Sequence, residues 1–249
     1  MHRDLTALAA LALMAVALGP VTRWFGREFQ SLVLLVTGSP AAALYAYHAL
    51  LLPGTLLHEL SHLGAAWLMG VPTGRLSLRP RLQGSNMAEF GSVEVGAADP
   101  VRASLIGLAP LLAGIAAIYL VARHGLAMPT LNGGIGALQG AWGQALRAPD
   151  AGLWLYVVIA IGNAMLPSAS DRRAWWKLAL ILAAAMALLY AVGALGRLSA
   201  GALATAMRGI EQMTLVFALV IIVDLALGGL FWIMTALVAR MSGRRLVKG

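Results

Sequence analysis

Residues 54–70, GTLLHELSHLGAAWLMG, decide the class of fold, because three titratable side chains stand in an otherwise apolar run. These side chains are His58, Glu59 and His62. A charged residue at the centre of a bilayer costs about 2.5–3.5 kcal/mol or more, so ionisable groups in apolar helices are functional candidates by default. We therefore expect a buried helix that carries a site.

The rest of the chain has the composition of a membrane protein. Of the 249 residues, 60% are hydrophobic and 11% are charged, whereas a soluble domain typically has about 25% charged residues. A mean hydropathy of +0.82 excludes an ordinary water-soluble globule. Further apolar runs are Leu5–Gly19, Ser31–Leu52, Val101–Val121, Ala151–Leu166, Leu178–Leu195 and Thr214–Ala239. We predict an all-α polytopic membrane protein with six or seven transmembrane helices.

The number of spans depends on Pro53 and Gly54. These residues could form a tight turn between two helices. They could instead kink one long helix from about Ala41 to Met69, since proline is tolerated in a span when neighbours satisfy the freed carbonyl group. The first arrangement gives seven spans and the second gives six.

The basic residues predict the orientation of the chain. Its formal charge is +8, and most basic residues lie in short connections between apolar runs. The positive-inside rule explains this distribution without a nucleic-acid partner. Under either span count, the rule places Arg75–Arg81, Arg172–Lys177 and the C-terminal tail in the cytoplasm. Only the N-terminus changes sides between the two counts.

The segment 73–97 has a different period from the apolar runs. Residues 74–79, GRLSLR, and 91–96, GSVEVG, alternate apolar and polar side chains, with Gly84–Asn86 between them. This alternation predicts a small β-hairpin or sheet. We expect a single membrane domain over 1–249, with N-terminal spans in 1–50, a core in 51–176 that includes the strands of 73–97, and further spans and a basic tail in 177–249.

The three titratable residues match the H-E-x-x-H pattern of zinc peptidases. On a helix, His58 and His62 project from one face about one turn apart and can reach one ion, while Glu59 can accept a proton from water. The alternative is a pair of histidines that satisfy each other within a helix bundle.

A catalytic zinc site usually has three protein ligands, and the chain has no cysteine. Asp171 follows a span that breaks at Pro167, and such a break at membrane depth is tolerated where it lines a cavity or packs against protein. Asp171 is therefore a candidate ligand. Asp224, in the last apolar run, could pair with an arginine, bond to a neighbouring helix or line a cavity, and we expect a structural pairing.

Taken together, these motifs resemble the site-two protease family of intramembrane zinc metalloproteases. The resemblance covers roughly residues 50–176 and rests on the H-E-x-x-H pattern, the strand-like segment, and Asn163 and Asp171 eight residues apart with a proline between them. The family pattern is N-x-x-P-x-x-x-x-D-G. Here the proline, Pro167, follows Asn163 by four residues where the pattern has three, and Arg172 stands in place of the glycine. No segment is long enough for the PDZ domain of some members.

This resemblance implies both a site and an activity. Zn²⁺ would be held by His58, His62 and Asp171, with Glu59 as general base and Asn163 assisting the substrate carbonyl. The substrate would be a transmembrane protein or peptide, unwound and paired with the strands, in a bacterial or archaeal cell membrane. The site would lie nearer the cytoplasmic side. The resemblance implies no oligomeric state.

Two alternatives to this reading remain open. One is a membrane zincin of another type, in which the third ligand is Glu89, Glu94 or Glu211. The other is a membrane metal-binding protein without proteolytic activity, either a transporter or a silent chaperone-like relative.

Overall fold

The structure is a computed structural model that describes residues 2–78, 81–83, 87–89, 91–128, 142–191 and 200–242. These residues form seven helices, counting one π-helical turn, and four short strands. The helices are α1 (His2–Thr37), α2 (Pro40–Leu68), α3 (Pro100–Leu120) with the π turn Val121–Gly125, α4 (Ala151–Ala164), α5 (Trp175–Ala191) and α6 (Ala200–Ser242). The predicted turn at Gly84–Asn86, the end of the run at Leu195 and the basic tail after Ser242 lie outside the described residues.

The first helix is longer than the sequence predicted. We expected a connection after Gly19, around Arg23 and Arg27, but α1 continues through these residues to Thr37. Their charged side chains are exposed on the helix surface, where they do not interrupt backbone hydrogen bonding. The helix ends instead at Gly38, whose φ of +70° breaks the helical geometry.

The second helix is continuous through Pro53, so the tight turn between two spans does not occur. The Ser39 hydroxyl accepts a hydrogen bond from the Ala42 backbone at 3.2 Å, and Pro40 occupies the first helical turn. The chain leaves the helix at Gly70, which has a φ of +66°. The kinked-helix alternative is therefore correct for this segment.

Small residues allow α4 to cross α2 closely next to Pro53. A Cβ atom on Gly54 would collide with the backbone carbonyl of Ala160 and with the side chain of Ala164. Gly54 is needed for this close approach, as small residues are at other membrane helix crossings. The crossing places the end of α4 beside the histidines of α2.

The strand-like segment forms antiparallel pairs, as predicted. Strand β1 (Thr73–Ser77) pairs with β4 (Ser92–Val95), with Leu76 opposite Val93. Strand β2 (Arg81–Gln83) pairs with β3 (Met87–Glu89). Because β1 follows directly from the end of α2 and also contacts that helix, the strands lie at the end of the bundle nearest His62.

Among the described residues, four helices are long and apolar enough to cross a membrane, which supports a multi-pass membrane protein. These segments are Leu5–Thr37, Pro40–Leu68, Pro100–Gly125 and Ala204–Ser242. Two more apolar helices, Ala151–Ala164 and Trp175–Leu188, are shorter than a typical span of about 20 residues. Many large apolar side chains, such as Leu68, Leu188 and Met241, are exposed and suited to contact with lipid.

Aromatic and apolar contacts show that α1 and α6 run parallel to each other. Met14 packs with Leu215 and Ala218. Further along α1, the Phe25 ring lies 5.8 Å from that of Phe231. Because α2 runs back from the end of α1, the C-terminal end of α6 lies at the opposite end of the bundle from Leu68 and the strands.

This arrangement corrects the topology predicted from charge. Arg75 follows the end of α2, whereas Arg240 is in the last turn of α6, so the two lie at opposite ends of the bundle. The prediction assumed that α3, α4, α5 and α6 all cross the membrane in alternation. Those four crossings would return the chain to the side of the strands. Parallel packing of α1 and α6 requires instead an odd number of crossings between the strands and the end of α6.

Candidate metal site

Three side chains from two parts of the chain meet at the site. His58 and His62 project from one face of α2, and Asp171 reaches them from the loop between α4 and α5. The two Nε2 atoms of the histidines are 3.1 Å apart. Asp171 Oδ1 lies 3.2 Å from Nε2 of His62, and Oδ2 lies 3.7 Å from Nε2 of His58. The structure thus brings together the residues that the sequence predicted as ligands.

Both histidine rings are oriented by backbone carbonyl groups. His58 Nδ1 lies 2.7 Å from the carbonyl oxygen of Ala164, and His62 Nδ1 lies 2.9 Å from that of Ile106. A carbonyl oxygen only accepts hydrogen bonds, so each Nδ1 carries the hydrogen and donates it. In a neutral ring, each Nε2 is then an acceptor with its lone pair facing the site. Metal-binding histidines commonly show this arrangement.

The site therefore collects acceptor atoms without a matching donor. Two Nε2 lone pairs and a carboxylate face one another unless a proton or a metal ion lies between them. All three ligand atoms lie within 4.8 Å of one another. Two ligands on a tetrahedron about 2.0–2.1 Å from a zinc ion are about 3.3–3.4 Å apart, which is close to the observed separations. The group formed by His58, His62 and Asp171 could hold a metal ion.

The loop that carries Asp171 is closed by its own hydrogen bonds. The Ser168 backbone donates to Asp171 Oδ2 at 2.7 Å, and the Asp171 backbone donates to the Ser168 hydroxyl at 3.2 Å. Burial raises the pKa of the Asp171 carboxyl, but His58 and His62, when they are protonated, and a donor from Ser168 lower it by more, so this pKa lies well below its usual range. Asp171 is therefore ionised at neutral pH, as a metal ligand must be.

Two neighbours of Asp171 show how the chain accommodates the loop. A Cβ atom on Gly107 of α3 would collide with the Asp171 carbonyl, so a glycine there lets the loop rest against the helix. Arg172, which stands where the family pattern has glycine, is not among the described residues with positive φ. The turn after Asp171 therefore does not require glycine.

Glu59 is buried, with 5% of its surface exposed, and lines a cavity of about 310 Å³ together with the two histidines and Asp171. A Cβ atom on Gly91 would lie 2.7 Å from Glu59 Oε1, so the chain just before β4 packs directly against the carboxyl group. The cavity leaves open space beside this buried carboxyl group.

Asn163 lines the same cavity, but its amide nitrogen is already hydrogen-bonded to other groups of the protein. Its Nδ2 donates to the Ile159 carbonyl at 3.1 Å and to the carboxyl group of Asp224 at 2.9 and 3.2 Å. Both amide hydrogens are therefore engaged. The expected pairing of Asp224 takes the form of a hydrogen bond to a neighbouring helix.

The other ligand candidates lie apart from this group. His124 is exposed in the π turn, and Glu94 accepts a hydrogen bond from the Arg75 backbone at 3.3 Å. Glu211 is on α6, and the side chain of Glu89 lies outside the described residues. Within the described part of the chain, His58, His62 and Asp171 are the one group of three such residues close enough to share an ion.

Sequence reasoning missed the residues that orient the ligands. The carbonyl groups of Ala164 and Ile106 have no signature, because every residue carries a carbonyl group. Ser168 and Gly91 belong to common turn-forming types, so their positions alone do not distinguish them. Only the contacts of Ser168 with Asp171 and of Gly91 with Glu59 show their importance.

Comparisons with protein-family models, with curated proteins and with solved structures found no match for this chain.

Proposed function

We propose that this chain is an intramembrane zinc endopeptidase of the site-two protease type, which hydrolyses peptide bonds within or next to the transmembrane segments of membrane-anchored substrates. The observation that carries the proposal is the convergence of His58, His62 and Asp171 in one cavity with a buried glutamate. A histidine pair that satisfied itself would need neither the carboxylate nor the cavity.

The donor set fits zinc. Two imidazole nitrogens and one carboxylate oxygen are ligands that zinc accepts, and three protein ligands leave a position open in a catalytic site. A zinc ion held there would supply a Lewis acid that activates water and polarises a carbonyl group. The Nδ1 hydrogen bonds to Ala164 and Ile106 hold the rings in the tautomer that this binding requires.

Glu59 supplies the proton chemistry in this proposal. It follows His58 in the chain, is buried and lines the cavity, so it can take a proton from water and pass it to the leaving amine. A membrane metal-binding protein without hydrolytic activity would gain nothing from a carboxylate that is adjacent to the metal ligands but outside their group.

The strands support binding of an extended substrate. Ser92 and Val93 of β4 line the cavity, and in the described residues β4 has β1 as its hydrogen-bonded neighbour. The other edge of β4 offers backbone groups to a peptide in extended conformation. A helical substrate must unwind first, since its backbone hydrogen bonds are otherwise closed within the helix.

The charge distribution supports a site near the cytoplasmic side of the membrane. Among the described basic residues in loops and terminal helical turns, Arg75, Arg102, Arg172, Arg173 and Lys177 lie at the end of the bundle with the strands, against Arg123, Arg147 and Arg240 at the other end. This excess favours the strand end as the cytoplasmic end. Single cysteines at Ser77 and Ser242 would test the arrangement with an impermeant thiol reagent on intact cells. Labelling is expected at residue 242 only, and labelling at residue 77 would contradict it.

The peptidase activity is tested with Glu59→Gln. Purified protein in detergent should cleave a single-span peptide that contains helix-destabilising residues, whereas Glu59→Gln should not, with fold and zinc content unchanged. The base acts in the transition state, while metal affinity depends on the ligands. If the two proteins cleave equally fast, the peptidase proposal is wrong and the site has a transport or structural role.

A further inference from the structure

Asp224 is a wholly buried acid, placed on a different helix from every proposed ligand. Its relative exposure is 0%, and it lies within an apolar stretch of α6 that includes Val220 and Val223. An ionisable residue at such a position is costly, so a role for it is expected. The structure shows that its carboxyl group meets Asn163, which lines the cavity.

The two hydrogen bonds of the Asn163 amide nitrogen are not equivalent. The Asp224 carboxyl group presents both oxygens, at 2.9 and 3.2 Å, whereas the Ile159 carbonyl accepts at 3.1 Å from the same helix. The Ile159 carbonyl also lies one helical turn before Asn163, where backbone hydrogen bonds of α4 can satisfy it. The bond to Ile159 can therefore be given up more easily than the bond to Asp224.

The remaining polar atom of Asn163 shows that the amide is not fully satisfied. Its Oδ1 is buried and, within the described residues, accepts no hydrogen bond. Buried polar side-chain atoms are usually paired, and an exception calls for an explanation. The Asn163 side chain is thus held at its nitrogen end and unsatisfied at its oxygen end, and packing alone does not explain this arrangement.

We propose that Asp224 is a positioning residue, which anchors one amide hydrogen of Asn163 so that the other can be given to the substrate in the cavity. This inference rests on the proposed peptidase function. On binding, the amide exchanges its bond to the Ile159 carbonyl for a bond to the carbonyl oxygen of the substrate. The bond to Asp224 persists and limits the rotation of the amide. Asp224 itself touches neither substrate nor metal, and its effect on cleavage passes through Asn163.

The test is a set of variants at both positions, with cleavage and zinc content measured on each. Asp224→Leu removes the acceptor and keeps the branched shape of the side chain, although leucine is larger, while Asp224→Asn keeps an acceptor oxygen. Each is made in the native chain and together with Asn163→Ala. Wild type and Glu59→Gln are assayed first, and equal rates for these two proteins contradict the peptidase function itself.

The expected result is a dependence of Asp224 on Asn163. Asp224→Leu should lower kcat by the same factor as Asn163→Ala, about 10²–10³-fold as for loss of one transition-state donor. KM and zinc content should not change. Asp224→Asn should lose less, and Asp224→Leu should cause no further loss when residue 163 is alanine. Equal losses in both backgrounds, or no loss from Asp224→Leu, would overturn the proposal.

The exchanged pair, Asn163→Asp with Asp224→Asn, keeps the proposal testable if Asp224→Leu does not fold. It restores a hydrogen bond between α4 and α6 but leaves no amide hydrogen at position 163. If both residues serve only to join the two helices, this protein should have wild-type kcat, and that result would overturn the proposal. Positioning predicts a folded, zinc-loaded protein with kcat as low as that of Asn163→Ala.

Discussion

The metal-ligand cluster and the pair formed by Asn163 and Asp224 are both buried polar groups in one apolar bundle, but they differ in their balance of donors and acceptors. In the pair, an amide nitrogen donates to a carboxyl group at 2.9 Å. In the cluster of His58, His62 and Asp171, the ring hydrogens are directed outward to backbone carbonyl groups, and acceptor atoms face one another.

This difference separates two kinds of buried polar group. A donor that meets an acceptor largely offsets the cost of removing both from water, so the pair can persist without any ligand. Acceptors that meet acceptors gain nothing from each other, so the cluster is favourable only when a proton or a metal ion lies between them. Polar residues inside a membrane bundle can thus be divided into self-sufficient pairs and candidate ion sites by comparing the number of hydrogen-bond donors with the number of acceptors.

The largest expected effect is the loss of stability when a chelator removes the metal ion. A strong chelator should lower the stability of the native chain, because an ion that binds only the folded state stabilises it by about 4 kcal/mol at roughly 1,000 times its Kd. Thermal melting in detergent, with and without chelator, measures the change. His62→Ala should melt at one temperature in both conditions, and Asp224→Leu should keep the response to chelator. If the chelator does not change the melting temperature of the native chain, the cluster does not hold a stabilising metal ion.

The next effect tests whether Glu59 can be displaced without disturbing the three proposed metal ligands. Gly91→Ala would place a Cβ atom 2.7 Å from Glu59 Oε1 and 2.9 Å from Thr55 Cγ2, so Glu59 must move. Cleavage should fall by about 10-fold or more, a part of what a positioned base contributes, with zinc content unchanged. Gly64→Ala is the matched control, since nothing lies within 4 Å of its added atom. Equal cleavage by both variants would show that Gly91 does not hold Glu59 in place.

The smallest effect concerns the loop that presents Asp171. Ser168→Ala removes the hydroxyl group that accepts from the Asp171 backbone at 3.2 Å. Zinc affinity, measured by competition with a chelating dye, should weaken by about 10-fold, as is usual when a partner of a ligand is lost. Ser170→Ala removes only a contact to the Ser168 hydroxyl and should have less effect. An unchanged affinity in Ser168→Ala would assign the orientation of Asp171 to backbone groups alone.

The meeting of His58 and His62 could be predicted from sequence because helical spacing is regular. Two histidines four residues apart share one face of any α-helix, so their meeting required no knowledge of the fold. Asp171 was harder, since its loop had to return to α2 from 109 residues further along the chain than His62. Its position after the break at Pro167 made it a candidate ligand. The family resemblance then predicted that it lies beside His58 and His62.

The helix ends and the orientation of the bundle could not be predicted in the same way. Arg23 and Arg27 look like a connection in an apolar sequence, but charges on an exposed face do not break a helix, whereas Gly38 with positive φ does. The parallel packing of α1 and α6 depends on contacts such as Phe25 with Phe231, which no local pattern encodes. The bond between Asn163 and Asp224 likewise joins residues 61 positions apart.

The most direct test of the central claim is a metal analysis of the purified protein. We expect one zinc ion per chain in the native protein and in Glu59→Gln, and nearly complete loss in His58→Ala, His62→Ala and Asp171→Ala, because acceptor atoms from all three residues converge on one position. Native protein purified without bound metal, or zinc retained at full occupancy after Asp171→Ala, would contradict this assignment.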